Sequence, residues 1–112
     1  MTPEQALRDV FGYPSFRPGQ REIIEAVLAG RDCVGVMPTG AGKSLTYQIP
    51  ARILGGATLV VSPLISLMKD QVDAAVSVGL RATFLNSSLS AEERSRRIEG
   101  LRRGEYELVY AA

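Results

Sequence analysis

Histidine is absent from this sequence, cysteine occurs once, and neither sign of charge predominates. Without histidine, no imidazole metal site and no Ser–His nucleophilic pair can form. Cys33 stands alone in an apolar run. No disulfide framework can therefore close within the chain, which suits a reducing compartment. With 13 basic against 12 acidic side chains, the chain is no polycation that grips nucleic acid by net charge, and any such contact must be local. The first fifteen residues hold no apolar stretch of signal-peptide length, and no run anywhere is long enough to span a bilayer. The expectation from these absences is a soluble intracellular protein. What is present is 112 residues, 46% of them hydrophobic, enough for one small domain with a compact core.

Thr2-Pro3-Glu4-Gln5 reads as a helix start, with Thr2 as cap, Pro3 at the first helical position and Gln5 reaching back. Gly12, Pro14, Pro18 and Gly19 mark a loop. A second helix is expected over 18–29, with Ile23, Ile24, Val27 and Leu28 on one face and Gly30 as its stop. A short valine-rich strand is expected over 32–36, then a helix opening at Lys43 and running towards Leu54, with Pro50 as a kink point and Gly55-Gly56 as its end. A strand over 58–62 leads through Ser62-Pro63 into a long amphipathic helix that stops near Val78, before Gly79. A weaker strand over 82–85 follows, then an arginine-rich helix from the capping-box sequence at Ser90 to about Arg103, then a strand over 107–111. Strands alternating with helices over short connections predict α/β architecture: a parallel sheet with flanking helices. The strands over 32–36 and 58–62 are apolar on both faces, as a covered parallel sheet requires.

Between the first strand and the helix after it lies Met37-Pro38-Thr39-Gly40-Ala41-Gly42-Lys43-Ser44. Glycines let backbone N–H groups curl around phosphate oxygens with no Cβ in the way, and a helix N-terminus directs its free N–H groups at the anion. Lys43 can reach the β- and γ-phosphates of a nucleotide, and the Ser44 hydroxyl has the length to ligate Mg²⁺. This reads as a phosphate-binding loop for ATP, although Met37 stands where the general pattern has its first glycine. The plainer alternative is a glycine-rich turn with a chance lysine.

Further motifs extend the reading to a family. Phe11-Gly12-Tyr13-Pro14-Ser15-Phe16-Arg17-Pro18-Gly19-Gln20, with Leu7 before it and Ile24 after it, resembles the adenine-reading motif of RecQ-type DNA helicases. The phosphate loop resembles that family's next motif, and Ser62-Pro63-Leu64-Ile65-Ser66-Leu67-Met68-Lys69-Asp70-Gln71-Val72 the one after. Leu85-Asn86-Ser87-Ser88 and Val109-Tyr110-Ala111-Ala112 resemble later elements. Helicases similar to this chain commonly lack the first glycine of the loop, so Met37 favours a helicase over a metabolite kinase.

The resemblance implies that residues 1–112 form the N-terminal part of a RecA-like ATP-binding domain. It implies that Gln20 reads the adenine edge, with Tyr13 and Arg17 flanking the base. An ordinary polar residue at a helix start is the alternative for Gln20. It implies single-stranded or duplex DNA as partner, met by Ser62, Pro63, Ser66 and Lys69 at a helix start. Leu64, Leu67, Met68, Gln71 and Val72 have helical spacing and are expected mostly in the core. Asn86 either bonds a backbone phosphate or turns the chain. Arg94, Arg96, Arg97, Arg102 and Arg103 form the one basic cluster; the preferred reading is a solvated face paired with Glu93 and Glu99, the other a DNA-backbone contact. The phosphate loop, Ser62 and Asn86 each follow a strand, so all are expected at one edge of the sheet.

The activity so implied is ATP-driven, 3′-to-5′ unwinding of DNA. The family's Asp-Glu-x-His motif is not in this sequence, nor is a second RecA-like lobe. The expectation is a piece of a longer protein, truncated before that acidic motif and inactive alone. Rival readings are a noncatalytic nucleotide-binding fragment or gene remnant, a small-molecule kinase on the same loop, and a motor on RNA, since backbone contacts do not settle sugar identity.

Overall fold

In a computed structural model that describes residues 1–37 and 42–112, the chain forms two compact units, Met1–Gly55 and Gly56–Ala112. The first is helical. Helix α1 (Pro3–Asp9) starts as a full capping box: the Thr2 hydroxyl accepts the Gln5 N–H, and the Gln5 side chain accepts the Thr2 N–H at 2.8 Å. Pro3 has no N–H, so two of the three orphan donors of the helix start are thereby satisfied. Helix α2 spans Gln20–Leu28 and α3 spans Leu45–Leu54. Ala6, Leu7, Ile24 and Ile49 form the buried core of this unit, with Phe11, Phe16, Leu28, Leu45 and Ile53 packed against it. Burying each such aliphatic side chain contributes about 1.5–3 kcal/mol, which outweighs the weak intrinsic helicity of segments this short.

Helix α2 begins two residues later than expected because Gly19, its N-cap, sits at φ 89°, outside helical space. Helix α3 likewise starts at Leu45, and Lys43 lies in the turn ahead of it, where the Leu45 N–H bonds the Gly42 carbonyl. It continues through the buried Pro50 and ends at Gly55, whose φ of 78° suits glycine alone.

The expected strand over 32–36 is not one. The segment has no ladder partner among the described residues, and Val34 and Val36 are each 92% exposed. A strand is made by its neighbours, and an apolar sequence without a paired edge remains an unladdered segment.

The second unit carries the parallel sheet. Strands β1 (Thr58–Val61), β2 (Ala82–Leu85) and β3 (Leu108–Ala111) lie in the order β1-β3-β2, every pair parallel. Thr58 and Ala82 both pair with Leu108, and Val61 and Leu85 both pair with Ala111. Helix α4 (Ile65–Ser77) follows β1, and α5 (Ala91–Arg102) follows β2. The core here is Met68, Val72 and Ala75 of α4 with Leu80, Ala82, Leu108, Val109 and Tyr110. The central strand β3 is buried from Leu108 to Tyr110, as a doubly covered parallel strand should be. On β1 the expectation of two covered faces fails, since Leu59 and Val61 stay 63% and 74% exposed. Leu64 and Leu67, expected in the core, are also exposed, because α4 turns its Met68–Val72–Ala75 stripe inward. No helix among the described residues is long and apolar enough to cross a membrane.

Candidate nucleotide and nucleic-acid sites

In the first unit, the loop between α1 and α2 brings Gln20 to the end of the phosphate loop. Gln20 is buried at the first position of α2. Its Oε1 accepts the Arg17 N–H at 2.8 Å, and its Nε2 donates to the Gly42 carbonyl at 2.9 Å. The motif expected to read the base is thus bonded to the loop expected to hold the phosphates. Tyr13 and Arg17 are exposed beside it in sequence.

Gly42 sits at φ 78°, and a Cβ there would come within 2.5 Å of Gln20 Nε2. Both conformation and space require glycine. Lys43 follows in the turn, exposed, with no carboxylate paired to it among the described residues. Ser44 is the N-cap of α3, exposed, and its side chain makes no capping bond. An ammonium and a hydroxyl thus stand together at the start of a ten-residue helix. Met37 is half-buried. Pro38, Thr39, Gly40 and Ala41, read as the body of the loop, lie outside the described residues.

In the second unit the carboxyl ends of the strands carry the other candidates. Ser62 follows β1; its N–H donates to the Ala111 carbonyl at 2.9 Å, and its hydroxyl accepts the Leu64 N–H at 3.1 Å. That bond closes the turn into α4, which begins at Ile65 rather than at Ser62-Pro63. Pro63 and Ser66 are exposed around this helix start. Lys69, one turn on, bonds Asp73 Oδ2 at 2.8 Å. The hydrogen bond and the charge of Asp73 raise the Lys69 ammonium above its ordinary pKa.

Asn86, after β2, is buried. Its Oδ1 accepts both the N–H and the hydroxyl of Ser88, and its Nδ2 faces the Met68 sulfur at 3.5 Å. These bonds belong to the turn-forming alternative for this residue. Ser62 and Asn86 share the carboxyl edge of the sheet. The phosphate loop follows no strand of that sheet, because 32–36 forms none.

Four arginines of the basic cluster pair with glutamates along α5 and its C-cap, and Arg94 is exposed. Glu93 bonds Arg96 and Arg97, and Glu99 pairs with Arg102 and Arg103. Arg97 also lies 4.5 Å from the Phe84 ring centre and donates to the Phe84 carbonyl at 3.0 Å, tying α5 to β2.

Three partners escaped the sequence reading. Asp73 was legible from its i,i+4 spacing to Lys69. The Gly42 carbonyl and the buried Glu107 carboxylate, which accepts the Arg81 N–H at 2.8 Å, are 22 and 26 residues from their donors and carry no local signal.

Residues 17–112 match the family model described as DEAD/DEAH box helicase. The chain is 52% identical over 111 residues to the ATP-dependent DNA helicase RecQ of Haemophilus influenzae, covering 99% of this chain and 18% of that protein. It is 49% identical over 108 residues to the ATP-dependent DNA helicase RecQ of Bacillus subtilis, covering 96% and 18%. The chain therefore spans about a fifth of the length of these relatives. The crystal structure of a hypothetical ATP-dependent RNA helicase from Sulfolobus tokodaii superposes with a TM-score of 0.74 at 24% identity, covering 98% of this chain and 33% of that one. At that identity it establishes the fold alone, an α/β RecA-like architecture. The chain belongs to the DEAD/DEAH box helicase family, and along nearly its whole length it is similar to the RecQ-type members.

Proposed function

We propose that this chain is the N-terminal part of the RecA-like ATP-binding domain of a 3′-to-5′ DNA helicase, acting in the bacterial cytoplasm or a eukaryotic nucleus. The observation that carries the reading is the corner Gly42-Lys43-Ser44. A left-handed glycine, a lysine with no carboxylate partner among the described residues and a serine hydroxyl that makes no capping bond lead into α3. Lys43 would neutralise the β- and γ-phosphates of ATP, and Ser44 would supply a hydroxyl oxygen to Mg²⁺. The first N–H groups of α3 would add partial positive charge. Tyr13 and Arg17 would flank the adenine and Gln20 would meet its edge. When bound, ATP with Mg²⁺ supplies the phosphoryl chemistry, and the residues of this chain bind and orient it.

DNA would meet the second unit. Ser62, Pro63, Ser66 and Lys69 surround the start of α4, where free helix N–H groups and an ammonium suit phosphodiester oxygens. Asn86 borders the same sheet edge through its turn.

The test is unwinding by the intact gene product that contains this chain. A duplex with a 3′ single-stranded tail should be opened in the presence of ATP and Mg²⁺, a 5′-tailed duplex should not, and DNA should stimulate ATP hydrolysis. Lys43→Ala should abolish both activities. Unwinding untouched by that substitution would overturn the reading. Hydrolysis that ignores DNA and needs a small hydroxylated acceptor would favour the kinase, and stimulation by RNA alone would favour the RNA motor.

A further inference from the structure

Gln20 is 1% exposed, yet it is a polar residue at a helix start, where water is normally at hand. Its burial is explained by what it joins. One end of its amide holds the Arg17 N–H at 2.8 Å, and the other holds the Gly42 carbonyl at 2.9 Å. The same Gly42 carbonyl accepts the Leu45 N–H at 3.3 Å, the bond that closes the turn into α3. Arg17 Cδ lies 3.9 Å from where a Cβ on Gly42 would stand. One side chain thus pins the last described residue of the phosphate loop to the loop before α2.

We infer that Gln20 is a positioning residue for the triphosphate tail, acting through the Gly42 carbonyl whatever base the nucleotide carries. Fixing that carbonyl fixes the peptide plane between Gly42 and Lys43, and with it the direction in which Lys43 and Ser44 leave the loop. Gly42 at φ 78° lacks the Cβ that would otherwise restrict its torsions, so an external bond is what restrains it. A part-buried hydrogen bond of this kind has few competing waters, and removing its donor leaves the carbonyl, among the described residues, with the Leu45 N–H. The inference rests on the phosphate-binding reading of the loop. It differs from base reading in its consequence: a ligand with no base at all should feel the residue.

The experiment is calorimetric titration of the intact gene product with inorganic tripolyphosphate, ATP and GTP, comparing the natural protein with Gln20→Glu and Gln20→Met. Gln20→Glu keeps the acceptor for Arg17 and sets an oxygen against the Gly42 carbonyl. Gln20→Met has similar volume, brings no charge and removes the donor, so the question survives if the glutamate variant misfolds. Tripolyphosphate affinity should fall about three- to tenfold in both, the range expected for one hydrogen bond, and GTP affinity should fall with it. A loss confined to ATP, or a lowered melting temperature with tripolyphosphate affinity unchanged, overturns the inference and leaves the nucleotide site standing. A natural protein that binds neither tripolyphosphate nor ATP overturns the nucleotide-site reading itself.

Discussion

Ser62 and Asn86 stand on either side of Ala111: each is the residue after the one paired with it, Val61 on one flank and Leu85 on the other. The Ser62 N–H donates to the Ala111 carbonyl, and the Ala112 N–H donates to the Leu85 carbonyl. Two polar side chains are thereby set at one edge of the sheet, about 10 Å apart by the spacing of strands. Their surroundings differ, and so should the effects of removing them.

Asn86→Ala deletes the acceptor for the Ser88 N–H and removes a buried side chain from a turn whose Ser87 and Ser88 are exposed. Unfolding in urea should show a loss of about 1–2 kcal/mol, from one hydrogen bond and the contacts of a buried side chain. Ser62→Ala removes a cap from a less buried turn and should lose less, about 0.5–1 kcal/mol. Equal losses, or the reverse order, would contradict the assignment of Asn86 to the turn.

Lys43 is exposed and unpaired among the described residues, so its side chain stabilises little. Lys43→Ala should leave the unfolding free energy within about 0.5 kcal/mol of the natural value. Nucleotide affinity in the same preparation should drop beyond detection. Differential scanning fluorimetry with and without ATP reads both at once: equal melting temperatures without ligand, and an ATP-induced rise seen only in the natural protein. A variant that melts much lower without ATP would show that Lys43 is structural.

The elements that could be read from the sequence are those whose causes are local. Thr2 with Gln5, and Ser90 with Glu93, bond as their three-residue spacing implies. Gly55 and Gly79 end helices at positive φ. The strands at 58–61, 82–85 and 108–111 are apolar runs between turn residues. Strand order was not legible, because nothing in residues 108–111 says they lie between the other two. The strand expected at 32–36 failed for the same reason, since a ladder depends on a neighbour remote in sequence. At the site, Lys43 and Ser44 were legible as residue types in a known order. Which bonds Gln20 and Asn86 make was not: Gly42 and Met68 reach them from 22 and 18 residues away.

Gly35 has its own reason to be glycine. A Cβ there would run into Ile23 Cδ1, although φ at this residue is not positive. Gly35→Ala should cost no more than about 1 kcal/mol, because Ile23 Cδ1 is the end of a half-buried side chain that can turn aside, and reduced freedom of the unfolded chain offsets part of it. Ile23→Val removes the Cδ1 carbon and leaves Cγ1, which is 3.2 Å away. The alanine should therefore cost less in the valine background, giving a favourable coupling energy in a double-mutant cycle. Additive effects of the two substitutions would show that residues 23 and 35 do not meet in solution.

Lys69 joins a pH prediction to a DNA prediction. Its ammonium is held above the ordinary value of 10.5 first by the hydrogen bond to Asp73 and then by that carboxylate's charge. A lysine raised in the folded state adds stability that is fully present below its unfolded pKa and is lost as pH climbs through the folded one. The contribution is therefore constant at neutral pH and fades only above about 10.5. Asp73→Asn should bring the Lys69 titration, followed by NMR at Nζ, back down towards its ordinary value. The same substitution frees the ammonium for a phosphate and removes a negative charge two turns into α4. Affinity for single-stranded DNA should then rise, whereas Lys69→Ala should weaken it and reduce the magnitude of the slope of log K against log salt by about 0.7. If Asp73→Asn restores the titration but neither variant alters DNA affinity or its salt slope, Lys69 and Asp73 are a surface pair of α4 with no part in the DNA interface.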